Sequence, residues 1–254
     1  MIRVVFNQKG GVGKSSITSN LAAISAAKGL KTLVIDLDPQ CNSTQYIYGA
    51  GSDELTQDVK AFFEQTLTFQ LKPQGAEAFI HATPYENLFL IPANPDVADL
   101  QTKLETKHKI YKLKEALEKL DDFDAVYIDT PPAFNFFTLS ALVAAERCLI
   151  PFDCDEFARH ALYSLLDNVN ETRMDHNEAL EVEGIVVNQF QPRASLPSKM
   201  VAELQAEDLP VLNAKISSSV KMRESHNVSI PLVHYAPKHK LTQEFVGLFN
   251  ELHP

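Results

Sequence analysis

The chain has 254 residues, 45% of them hydrophobic, so it can fill a sizeable core as one large α/β domain or two small ones. A net charge of −10 speaks against a general nucleic-acid coat protein. It leaves room for a local basic patch, because charges farther apart than ~8 Å are largely screened at physiological salt. No apolar run approaches the ~20 residues of a membrane span and no secretory signal is visible. The three cysteines, Cys41, Cys148 and Cys154, have no metal spacing, so a cytoplasmic chain with reduced thiols is expected.

In chain order, residues 2–6 read as a buried strand and residues 17–23 as part of a helix. Between them runs Asn7-Gln8-Lys9-Gly10-Gly11-Val12-Gly13-Lys14-Ser15-Ser16. A strand, a glycine-rich turn and a helix start make a phosphate cradle. The glycines let backbone N–H groups face inward, and the helix N-terminus adds partial positive charge. Lys14 is placed to reach the β- and γ-phosphates of a nucleotide and the Ser15 hydroxyl to hold Mg²⁺. The common P-loop pattern has a glycine five residues before Gly13; here that residue is Gln8, and a second lysine, Lys9, stands at the front of the loop.

The first helix should end at Lys28-Gly29. Residues 31–38 form a second buried strand with Asp36 and Asp38 at its end, which makes a βαβ unit and a parallel sheet. Residues 39–87 are harder to read. Residues 53–65 are weakly helical, with Leu55, Val59, Phe62 and Phe63 as apolar positions, and 67–82 show no period. Strands follow at 88–92, 125–129, 148–151, 184–188 and, more weakly, 211–216. Helices are expected at 109–120, 137–146, 157–173 and 241–252. Asp129 ends the 125–129 strand before Thr130-Pro131-Pro132, as a Walker-B aspartate does, placing it to hold Mg²⁺ beside Ser15. No linker-like run, repeat or low-complexity tract interrupts the alternation. The expected fold is therefore a single doubly wound α/β domain over residues 1–254, a mostly parallel sheet flanked by helices. In such sheets the ligand lies at the strand C-termini, where the glycine loop, Asp36, Asp38, Asp129 and Asn188 fall.

The loop from Lys9 to Ser16, together with Asp36-Leu37-Asp38-Pro39-Gln40, resembles the ParA/MinD family of P-loop NTPases, dimeric ATPases with a deviant Walker A loop. Because the chain opens on the P-loop strand, its small, Soj-like partitioning type is expected. The resemblance implies ATP and Mg²⁺ as cofactors, with Lys9, Gly10, Gly11, Val12, Gly13, Lys14, Ser15 and Ser16 around the nucleotide. It makes Asp38 the residue that orients or activates the attacking water, and Asp36 a metal-shell or switch residue. Lys9 would cross a dimer interface and touch the ATP of the other subunit. Asn188 matches the base-reading position, and Ala236-Pro237 a second adenine-contacting turn. Cys41 stands where the family often has glycine.

The same resemblance implies a homodimer formed with ATP, nonspecific binding of nucleoid DNA, and hydrolysis stimulated by a ParB-like or other cargo-adaptor protein. Such a cycle positions a chromosome, a plasmid or a protein assembly. Arg193 and Lys221 are the leading DNA-contacting candidates. Arg223, Lys199, Lys215, Lys238 and Lys240 stand behind them. Three rivals are weighed. A MinD-like membrane regulator would use the C-terminal helix, whose stripe is Leu241, Phe245, Leu248, Phe249 and Leu252. The polar face of that helix carries Gln243, Glu244, Asn250 and Glu251 rather than cations, so core packing and no membrane are expected. An iron–sulfur relative fits poorly with Cys148 and Cys154 on and just after one strand. A ligase of the same fold, such as dethiobiotin synthetase, uses a more ordinary loop without Lys9.

Overall fold

The apolar runs of the sequence become the middle of one sheet. A computed structural model describes residues 1–154, 158–191 and 195–253. Its first half contains β1 (Ile2–Val5), α1 (Lys14–Ala27), β2 (Thr32–Asp36), α2 (Asn42–Tyr48), α3 (Val59–Leu67), β3 (His81–Ala82) and β4 (Leu88–Ile91). Next come α4 (Gln101–Thr106), α5 (Lys112–Leu117), β5 (Ala125–Asp129), α6 (Phe136–Ala144), β6 (Arg147–Asp153) and α7 (Ala158–Asp175). The chain continues through β7 (Glu181–Phe190), α8 (Ser195–Ala206), β8 (Val211–Ser217), α9 (Val220–Asn227), α10 (Leu232–Tyr235) and α11 (Lys240–Leu252).

The strands lie in the order β3-β4-β2-β5-β1-β6-β7-β8. The pairings are parallel except that of β3, which runs antiparallel to β4 at the edge. Strands β2 and β5 are buried along their whole length, as expected where helices cover both faces. On one face Phe62, Phe63, Leu104, Leu113, Phe136, Leu162 and Leu204 form a core from α3 to α8. On the other, Ile17 and Leu21 of α1 pack with Leu241, Phe245, Leu248 and Phe249 of α11. The doubly wound architecture is as expected from the alternation of strands and helices.

Several elements differ from the sequence reading. The stretch 53–65 divides into a 3₁₀ turn at Ser52–Glu54 and helix α3, because the Asp58 carboxylate caps α3 by accepting from Ala61 N at 2.8 Å. The helix expected over 109–120 narrows to α5, and a separate short helix, α4, precedes it. The residues 67–82, without a period, hold a 3₁₀ turn at Ala76–Phe79 and the two-residue strand β3.

Candidate nucleotide site

Strands β1, β2 and β5 are neighbours, so their C-terminal ends deliver the glycine loop, Asp36-Leu37-Asp38 and Asp129 to one place. Asp36 and Asp129 are register partners. The loop turns into α1 at Gly13, whose φ of 90° is left-handed and whose Cβ, were there one, would lie 2.2 Å from Asn188 Nδ2. Asn188 supports the loop from behind: its Nδ2 donates to Val12 O at 2.8 Å, and Gln189 Nε2 donates to Gly11 O at 2.9 Å.

A cavity of about 450 Å³ opens over the loop, lined by Gly10, Gly11, Gly13, Lys14, Ser15, Ser16, Asp38, Gln40, Asn42, Pro132 and His226. Lys14 is buried and its Nζ donates to Lys9 O at 3.2 Å, so the amine lies back across its own loop. Burial lowers its pKa, with the charges of Asp129 and Asp38 opposing. Asp38 Oδ1 accepts from Gln40 N at 3.0 Å, and burial raises its carboxyl above the usual range. Asp129 accepts hydrogen bonds from the hydroxyls of Ser15 and Ser43, the latter at 2.7 Å, and burial pushes it up to about 6. Asp36 is also fully buried and is raised by desolvation and then by the charge of Asp129.

The residues fit a magnesium nucleotide. A buried lysine, a glycine loop with no room for a Cβ at Gly13, and hydroxyl and carboxylate oxygens side by side are what a triphosphate and a hard cation require. Ser15 and Asp129 stand together as potential Mg²⁺ holders. Asp36 is differently occupied: its Oδ2 accepts from both Thr44 N and Thr44 Oγ1 at 2.8 Å, and its Oδ1 from Asp38 N at 3.1 Å. That network ties the start of α2 to the end of β2.

A second cavity, of about 390 Å³, adjoins the first at Gly11, Gly13 and Ser16 and is lined by Asn188, Gln189, Ile216, Ser217, Ser218, Ser219, Met222 and Arg223. Its place beyond the helix start suits the base of a nucleotide, and it holds Asn188. Pro237 is exposed and lines neither cavity; its carbonyl accepts from Gln243 Nε2. Arg223, read from the sequence as a DNA contact, borders this second cavity. Lys221 is paired with Glu224 at 2.5 Å and lies 5.4 Å from the centroid of the Tyr235 ring. Arg193 falls outside the described residues. Lys9 is exposed; its backbone is fixed by Lys9 N donating to Asn7 Oδ1 at 2.9 Å.

Sequence reasoning missed Ser43, Thr44 and His226. Ser43 and Thr44 follow Asp38 closely in a stretch with no visible period. Two adjacent hydroxyl residues just beyond a strand-end carboxylate were the available signal.

Residues 1–182 match a family model described as an AAA domain. The chromosome partitioning protein ParA of Myxococcus xanthus is 30% identical over 251 residues, covering 98% of this chain and 86% of its own. The sporulation initiation inhibitor protein Soj of Bacillus subtilis is 30% identical over 256 residues, covering 99% and 97%. Among solved structures, cobyrinic acid a,c-diamide synthase from Mycobacterium smegmatis, crystallised with an ATP analogue and magnesium, superposes with a TM-score of 0.84 at 26% identity, covering 98% of this chain and 92% of that one.

Proposed function

This chain belongs to the ParA/MinD family of P-loop ATPases, and from that premise we propose that it is a single ATPase domain whose ATP-bound form is a face-to-face dimer that binds DNA without reading its sequence. It uses ATP and Mg²⁺ and is of the partitioning or positioning class. The observation that carries the reading is the convergence of Lys14, Ser15 and the carboxylate of Asp38 on one cavity, with a second lysine at its exposed front.

Bound ATP and Mg²⁺ supply the transferable phosphoryl group and a cation that offsets its charge. The chain's residues do the rest. Lys14 leaves the Lys9 carbonyl and binds the β- and γ-phosphate oxygens. Ser15 and Asp129 hold the cation's side of the site. Asp38 orients the attacking water and accepts its proton, a role its raised pKa favours. Lys9 reaches across the interface to the triphosphate held by the other copy, where it stabilises charge as an arginine finger does. Lys221 and Arg223 on α9, with Arg193, meet DNA phosphates once the dimer doubles their number. A ParB-like or other cargo-adaptor protein stimulates turnover and ends the cycle, and the ATP-bound form resides on the nucleoid.

A DNA mobility-shift assay with ATP, ADP and no nucleotide tests the cycle. Wild-type protein should retard DNA only with ATP, and Asp38→Ala should stay on DNA because it cannot turn over. Lys9→Ala should bind nucleotide yet neither dimerise nor hydrolyse it, and Lys9→Arg should restore only part, its guanidinium being larger and planar. Salt should weaken the shifted complex with a slope of about −0.9 per phosphate neutralised. Retardation indifferent to nucleotide, or wild-type turnover by Lys9→Ala, would overturn the reading.

A further inference from the structure

Helix α9 touches the glycine loop through a residue that no part of the family resemblance assigns. His226 Nε2 lies 3.0 Å from Ser16 Oγ, on residues 210 apart in sequence. Its ring lines the cavity over the glycine loop together with Lys14, Asp38 and Gln40. The same ring stacks on Tyr46 of α2, with centroids 4.0 Å apart and planes 10° from parallel. The Tyr46 hydroxyl is 2.6 Å from Ser225 Oγ, next to His226. Asn20 of α1 completes the junction: its Nδ2 donates to Ser16 O at 2.8 Å and its Oδ1 accepts from Leu232 N at 2.9 Å. Three segments therefore meet at one point: the first turn of α1, the helix that follows Asp38, and α9. Earlier on α9, Met222 and Arg223 border the neighbouring cavity. One short helix thus runs beside both halves of the site.

We propose that His226 is a positioning residue of the nucleotide site, fixing the Ser16 hydroxyl toward the phosphates and locking α9 to the segment after Asp38. With Nε2–H donating to Ser16 Oγ, the serine's own hydrogen remains free for a phosphate oxygen. Without it, that hydroxyl can turn away and donate to a chain carbonyl. Burial lowers the pKa of the ring, which disfavours its doubly protonated form. The stack on Tyr46 holds the ring in plane while Nε2 works, so the two contacts are separable by substitution. Because α9 also carries Lys221 and Arg223, loss of the contact uncouples that helix from whatever occupies the cavity.

The proposal rests on the ATP-binding reading of the site and not on its DNA or dimer parts, so nucleotide affinity alone tests it. Titration with a fluorescent ATP analogue and Mg²⁺ would be run on wild type, His226→Phe, His226→Gln, Ser16→Ala and the double variant His226→Phe/Ser16→Ala. The phenylalanine keeps the stack and deletes the nitrogen; the glutamine supplies an amide donor near the position of Nε2. His226→Phe should weaken binding by about tenfold, the scale of one lost hydrogen bond, and His226→Gln should recover most of it. The double variant should bind no worse than Ser16→Ala, since both changes remove one contact. Equal affinity of His226→Phe and wild type, or independent losses that multiply in the double variant, would overturn the proposal. A thermal melt accompanies each variant. Were His226→Phe to unfold, His226→Leu, which also lacks a ring nitrogen, makes the same comparison with and without Ser16→Ala. A wild-type protein that does not bind the analogue would instead sink the ATPase reading itself.

Discussion

Gly13 and Asn188 are locked together at the scale of single residues, and the lock explains a feature that the sequence shows only from one side. The glycine is required twice, by its left-handed φ of 90° and by the 2.2 Å that would separate a Cβ from Asn188 Nδ2. Gly13→Ala should abolish ATP binding, because relieving the clash means withdrawing the amide that holds Val12 O. Adding Asn188→Ala should recover folding of the loop in part, leaving the backbone strain of about 1–2 kcal/mol for a non-glycine residue in that conformation. Isothermal titration of both variants with ATP checks this, and a single variant with wild-type affinity would refute it. Lys14, Ser15, Asp38 and Asp129 were legible because each belongs to a short local pattern at a strand end. Asn188 was legible as a position, but its hold on the loop was not, since Val12 lies 176 residues away. His226 was illegible for the same reason: nothing near it in the chain signals a phosphate cavity.

At the scale of elements, the expected strands appear, but helix α8, 12 residues long, and helix α9 were not read from the sequence at all. Shorter helices were missed or misjudged in extent. Helices α2, α4, α5 and α10 span 7, 6, 6 and 4 residues, too few turns for an apolar stripe to repeat. One charged residue inside a strand also escaped notice. Arg3 sits in β1, wholly buried, and donates through Nε and Nη2 to both Glu183 oxygens at 2.5 and 2.7 Å. Its Nη1 donates to Tyr127 OH at 3.1 Å. The clamp reaches from β1 over the intervening β6 to β7, joining β5, β1 and β7 on one face. Removing one partner strands a buried charge. Glu183→Ala should therefore lower unfolding free energy by about 3–5 kcal/mol, read from urea denaturation. The pair lies at the starting end of β1, opposite the glycine loop, so ATP affinity of the folded protein should not change. Arg3→Met with Glu183→Leu should recover much of the loss, since an apolar pair of similar volume avoids desolvating two ions. A double variant as weak as Glu183→Ala would show that packing, not the unpaired charge, sets the cost.

For the molecule as a whole, the decisive question is what the C-terminal helix is used for, because a membrane-bound and a DNA-bound positioning ATPase differ there. Leu241, Phe245, Leu248, Phe249 and Leu252 are all buried in α11, facing α1 and the sheet. The polar side is committed as well. Glu244 accepts from Ser217 N and Oγ, both at 2.8 Å, and Glu251 accepts from Asn213 N and Ala214 N, both at 2.8 Å, so its acids stitch the helix to β8. Releasing α11 toward a bilayer would expose five large apolar side chains. At about 1.5–3 kcal/mol each, that cost reaches the size of a whole domain's stability of about 5–15 kcal/mol. Insertion would return the apolar part. It would also leave an acidic helix at an anionic surface and open the core behind α1, whose N-terminus is the phosphate cradle. No helix of the described residues is long and apolar enough to cross a membrane. With ATP and Mg²⁺ present, the protein should therefore stay in the supernatant when vesicles of anionic phospholipid are pelleted, at low and at high salt. In the same buffer Asp38→Ala should sediment with DNA. Pelleting with vesicles that survives high salt, and is lost on Phe245→Asp in a variant still folded by circular dichroism, would move the chain to the membrane branch of its family.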